Sequence, residues 1–153
     1  MVLVNTSKMY KRYFIMSLIV ISCNTREEHN NTTNWDKNNI RRIDVSDSNY
    51  LYAIETTQKA LPVFLSAFDA KDTSLSFFIK SKFVNGQDVE HMWSKLLKHN
   101  ADSVWSILDN VPNKINGIKL GDTLITPNAE IEDVIVFHGD SVLFGDFINE
   151  RNN

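Results

Sequence analysis

After Asp72 the spacing of apolar residues changes from helical to alternating, and that change fixes which class of fold is open to the chain. Before it, Leu51, Ile54, Leu61, Leu65 and Phe68 fall close to one helical face, with Ser46 or Asp47 as the N-cap. Pro62 either kinks this helix or opens a second one at its first turn. The apolar face reads as core rather than as a groove for a partner. Beyond Asp72, Phe77, Ile79 and Phe83 point one way while Phe78, Lys80 and Lys82 point the other, the pattern of a strand. Asn85-Gly86 supplies a turn, with Val89 to Leu97 as the hairpin partner. Asn100-Ala101-Asp102 turns the chain into Ser103 to Leu108, and a loop follows around Val111-Pro112-Asn113. Gly121-Asp122 then introduces a strand over Thr123 to Thr126. Glu130 to Phe137 and Ser141 to Ile148 close the chain as a hairpin around Gly139-Asp140. A helix followed by about six short antiparallel strands is an α+β domain, with its sheet curled toward a small open barrel. This domain occupies residues 44–149, leaves residues 150–153 as a tail, and contains no internal repeat.

A different kind of segment lies at the start. Lys8, Lys11 and Arg12 precede an apolar stretch from Tyr13 to Ser22, and the only cysteine, Cys23, follows directly. Ten apolar-stretch residues are too few to span a bilayer, which takes roughly 20, but they suit the core of a secretory signal. The order resembles a bacterial lipoprotein signal peptide (residues 1–22) ending in a lipobox, with Cys23 as the lipidated N-terminus. Met9 would open a more compact signal than Met1. Asn24 is not the aspartate that retains many lipoproteins in the inner membrane, so the resemblance implies the outer membrane. Lipidation would leave the mature chain without a free thiol, and so without a disulfide or a cysteine nucleophile.

Residues 24–43 read as a tether. They are dominated by Asn, Thr and charged residues, with Trp35 and Ile40 as the main apolar side chains, too little to offset the entropy of ordering. A flexible chain of that length spans on the order of 25 Å. The complete chain carries 16 basic and 19 acidic side chains. Removing the signal leaves 13 against 19, an acidic balance that argues against DNA or RNA as a partner.

Two runs are similar to the YegJ-like family of domains of unknown function, DUF2314. One is Phe77-Phe78-Ile79-Lys80-Ser81-Lys82-Phe83 with Val89-Glu90-His91-Met92-Trp93. The other is Gly117-Ile118-Lys119-Leu120-Gly121-Asp122-Thr123-Leu124, and Ala60-Leu61-Pro62 to Phe64 precedes both in the family's order. The resemblance covers roughly residues 50 to 148. The chain departs from the pattern twice, with Val134 where the family carries a tryptophan after Ile-x-Asp, and Ser106 where it carries a glycine. The family has no established activity, so the resemblance implies a fold and not a reaction.

The chemistry-bearing residues gather on two strands. His91 and Trp93 share a sheet face with Val89, and Glu90 and Met92 take the other. If Lys80 pairs near Glu90, then Lys80, Glu90 and His91 make either a polar site or an ordinary cross-strand ion pair. Asp122 reads as a turn element bonding local amides. Asp133 shares a strand face with Ile131, Ile135 and Phe137, so that face is open to solvent or Asp133 has a specific partner. The chain has no Gly-x-Ser-x-Gly elbow, Gly-rich phosphate loop or His-Glu-x-x-His pattern. His29, His91, His99 and His138 have no ligand spacing, so no zinc and no cofactor is expected, while calcium on surface carboxylates stays open. Two functions remain. The first is a membrane-tethered binding or accessory module of the cell envelope, with an inhibitor or immunity-type protein as a variant. It would use a surface around Lys80, Glu90, His91, Trp93, Asp122 and Asp133 to hold an envelope protein. The second is a small hydrolase-like or ligand-processing enzyme using Glu90, His91 and an Asp such as Asp133.

Overall fold

The structure, a computed structural model, describes residues 44–150. The signal sequence, Cys23, the tether and residues 151–153 lie outside the described residues. Asp47 caps the first helix, α1 (Ser48–Asp69), by accepting the Asn49 amide at 2.8 Å, which satisfies one of the donors a helix start leaves open. The buried face of α1 is Tyr50, Ala53, Thr57, Leu61, Phe64 and Leu65, with Ile54 and Phe68 half-buried. Leu51, expected on that face, is 54% exposed because Tyr50 takes the inward position one residue earlier. Pro62 neither splits the helix nor opens a second one. It stands on the exposed side of a continuous α1, where solvent can serve the Gln58 carbonyl that a proline leaves without its helical donor.

Six antiparallel strands follow: β1 (Leu75–Asn85), β2 (Asp88–His99), β3 (Ser103–Leu108), β4 (Thr123–Pro127), β5 (Ile131–His138) and β6 (Ser141–Gly145). Their spatial order is β4-β3-β2-β1-β5-β6, and the two edge strands do not pair, so the sheet stays open and is not closed into a barrel. The central pair is longer than the short strands expected, at 11 and 12 residues. α1 packs on one face through Leu61, Phe64 and Leu65 against Phe77, Ile79, Leu96, Val104, Val134 and Val136. That layer is the main core. A smaller cluster of Met92, Leu108 and Ile115 holds the 109–122 loop to the same sheet.

The last strand ends earlier than the alternating pattern suggests. β6 stops at Gly145, and Asp146 leads into a short helix, α2 (Phe147–Glu150). Gly145 has φ +90°, and a Cβ built there would lie 1.8 Å from the Val134 carbonyl oxygen. Only glycine lets the backbone pass β5 this closely. Asp146, itself at φ +65°, then donates its amide to the same carbonyl at 2.8 Å. This turn sends α2 against the start of α1, where Ile148 packs with Tyr50 and Ala53.

Candidate functional site

The β1–β2 hairpin decides which predicted residues can meet. Its turn is Gly86-Gln87, so Lys80 opposes Trp93, Lys82 opposes His91 and Phe83 opposes Glu90. Lys80 therefore does not pair with Glu90. An even-numbered residue of β1 meets an odd-numbered one of β2, and Glu90 points to the other face. Glu90 instead accepts the backbone amides of Asn113 at 3.0 Å and Lys114 at 2.5 Å, clamping the 109–122 loop over the sheet end. Asp122 holds the far end of that loop by accepting the Lys119 amide at 2.9 Å, the turn role read from its sequence.

β5 pairs with β1 on the other side, and the register slips there. Lys80 opposes Asp133 while Ser81 opposes Ile131, which leaves Glu132 as an inserted bulge residue. The bulge puts two consecutive carboxylates inside the protein, Asp133 at 0% and Glu132 at 8% exposure. Glu132 lies 2.5 Å from His91 Nδ1 and also takes the Tyr50 hydroxyl, whose titration is pushed upward by burial and then by the Glu132 charge. The Tyr50 ring meets the His91 ring edge-on, 6.0 Å between centroids.

Asp133 has the specific partners its position demanded. Its Oδ1 accepts the Val134 and Phe147 amides at 2.9 and 3.1 Å, its Oδ2 the Ile148 amide at 3.0 Å, and the Thr57 hydroxyl lies 3.5 Å away. Burial nevertheless raises its pKa to about 7, outweighing those amides and the nearby Lys80, with Asp146 adding to the rise. Lys80 itself is 9% exposed, with its ammonium 5.2 Å from the Trp93 ring centroid. Trp93 is 4% exposed, and its backbone is tied to the loop through the Asn110 side chain and the Asp109 amide.

Five of the six predicted residues thus have buried or local structural tasks, and His91 is the sixth. A histidine oriented by a carboxylate can act as a base, but the nitrogen facing Glu132 is occupied and both side chains retain only 10% of their exposure. Glu90 and His91 do not converge, because they lie on opposite faces of β2. An open groove of about 500 Å³ runs between α1 and the β2–β3 turn, lined by Leu61, Pro62, Leu65, His99 and Asn128. It includes none of the predicted site residues. Among the described residues, no group of three His, Cys, Asp or Glu is placed to hold a metal ion.

Sequence reasoning missed Glu132, Tyr50, Thr57 and the Gly145-Asp146 turn. One signal was available: Glu132-Asp133 breaks the alternation of a strand whose other residues up to Phe137 are apolar, as a bulge does. The family model for uncharacterised proteins conserved in bacteria, DUF2314, matches residues 47–149. The chain belongs to this family. The matched DUF2314 segment is the whole of the helix-and-sheet domain, from the Asp47 cap to α2. No curated protein and no solved structure matches the chain.

Proposed function

We propose that this DUF2314 protein is a lipid-anchored component of the bacterial cell envelope whose folded domain works as a binding or accessory module rather than as an enzyme. The observation that carries this reading is the assignment of the reactive side chains. Glu132 is bound to His91 and Tyr50, Asp133 holds α2 amides, and Glu90 holds loop amides. Groups committed in this way maintain shape. The run from Lys11 to Cys23 supports the anchor, and Asn24 supports the outer membrane as its destination.

The test has two parts in the native bacterium. Wild-type protein should sediment with membranes and carry an acylated N-terminal cysteine by mass spectrometry, and Cys23→Ser should lose both. Cross-linking in intact envelopes should then join the wild-type domain to one partner protein near stoichiometry. A soluble wild-type chain would overturn the anchor, and a domain cross-linked to no protein would overturn the binding role.

A further inference from the structure

Both faces of the sheet carry apolar side chains. Alternation along β1 puts Phe77 and Ile79 in the main core under α1 and Phe78 on the reverse face, opposite Ile135. There Trp93, Ile135 and Phe137 form a second cluster, with Phe78 and Val142 packed against it. The Phe78 and Phe137 rings meet edge-on, 5.8 Å between centroids. All five side chains come from strands, yet Ile135 is 0%, Trp93 4% and Phe137 8% exposed. Side chains on the outer face of an antiparallel sheet touch one another sideways and keep their tips toward solvent unless a layer lies over them. The described elements that could form such a layer pack elsewhere: α1 over Phe77 and Ile79, the 109–122 loop against Met92, and α2 beside Tyr50 and Ala53.

The chain enters the domain beside this cluster. Tyr50, in the first turn of α1, meets His91 with 6.0 Å between ring centroids, and His91 is the next residue along β2 on the same face as Trp93. The segment before Asp44 therefore arrives at the cluster's edge. The three residues after Glu150 are Arg, Asn and Asn and bring no apolar side chain. The segment ahead of α1 brings Trp35 and Ile40. From His91 to the level of Phe78, which opposes Lys95, is four strand residues, about 13 Å. Eight extended residues, from Ile43 back to Trp35, reach up to about 26 Å. We propose that residues 34–43 dock along this face as a strap, with Trp35 seated on Phe78, Trp93 and Phe137 and Ile40 nearer the entry. Such a segment buries no core of its own, but docking needs only anchors that fit a finished surface, and an indole is among the largest. Exposed Lys95 opposes Phe78 in the register, so Asp36 arrives next to a cation. The free tether then shortens to residues 24–33, spanning about 17 Å, and an envelope partner has to use a different surface.

This inference goes beyond the binding-module reading and holds whether or not Cys23 is acylated. The test uses the full-length protein in mild detergent with photoreactive p-benzoylphenylalanine in place of Trp35, irradiated and mapped by mass spectrometry. Cross-links should fall within one chain, on peptides that carry Phe78, Trp93 or Phe137. The same probe in place of Glu27 should give none there. An equal mixture with heavy-isotope-labelled chains identifies links between copies. Hydroxyl-radical footprinting is the second readout. Trp35→Ala should raise oxidation of Trp93 and Phe137 severalfold and leave Trp105 unchanged, while Trp35→Phe should stay close to the wild type. Circular dichroism checks that each variant is folded. Links from position 35 to a second copy, to the exposed side of α1 or to nothing would overturn the proposal. So would equal oxidation of Trp93 in the wild type and in Trp35→Ala. If the strap fails while envelope cross-linking still yields a stoichiometric partner, this inference falls alone. If the strap holds and that partner is missing, only the binding role falls.

Discussion

Glu90 and Asp133 do the same job on the two strands that flank β1, and their surroundings make the result different. Each carboxylate gathers backbone amides from a segment that would otherwise hang loose: Glu90 those of Asn113 and Lys114, Asp133 those of Phe147 and Ile148. Glu90 works at the edge of solvent, half-buried, as one clamp on a surface loop. Asp133 is fully buried between α1, the β5 bulge and α2, and its pKa rises to about 7. A clamp near water can be lost at the cost of one loop. A buried clamp is tied into the packing of two helices, and its ionisation becomes part of the stability of the whole domain.

The largest effect should come from the turn that delivers α2 to Asp133. Gly145→Ala puts a methyl where the Val134 carbonyl already stands, at a φ that side chains resist. We expect about 3 kcal/mol or more of destabilisation in urea unfolding. Asp133→Ala comes next. It strands two α2 amides and the Thr57 hydroxyl in a buried corner, for a loss of about 2–3 kcal/mol. Hydrogen exchange should then rise in α2 and the first half of α1. Glu90→Ala should cost only about 1 kcal/mol, and its exchange should rise in residues 109–122 with α2 untouched. Equal costs for Asp133→Ala and Glu90→Ala would break the comparison. The smallest change is Ser106→Ala. Ser106 is fully buried, and its hydroxyl has no hydrogen-bond partner among the described residues. Removing it should leave stability unchanged or raise it by a few tenths of a kcal/mol, read as a small rise in Tm.

How much of this was legible beforehand depends on how local each signal is. The Asp47 cap, the β1–β2 hairpin and the Ser103–Leu108 strand rest on short-range spacing, and the structure repeats them closely. The Asp122 turn was readable for the same reason, since its partner is three residues away. Partners far apart in sequence were not readable. Glu132 and His91 are 41 residues apart, and Asp133 and Ile148 are 15 apart across a turn. Their meeting depends on a bulge that shifts register by one residue, and strand periodicity alone cannot place such a shift. Lys80 and Glu90 looked like neighbours only while the parity of the hairpin was unassigned.

The pH dependence of stability tests the central claim, that the buried corner is a structural clamp whose charge is held at a cost. An unfolded Asp titrates near 3.9, and the folded Asp133 near 7. Between those values the folded state holds the extra proton, so stability contributed by this group falls as pH rises from about 4 to about 7 and levels off above. The measurement is urea unfolding of wild type and Asp133→Asn from pH 4.5 to 8.5. Asn cannot ionise, so the wild type's margin over the variant should be greatest at the acidic end and shrink toward pH 8. A margin that stays constant or grows with pH would mean that Asp133 is comfortably ionised in the fold, and would contradict the account.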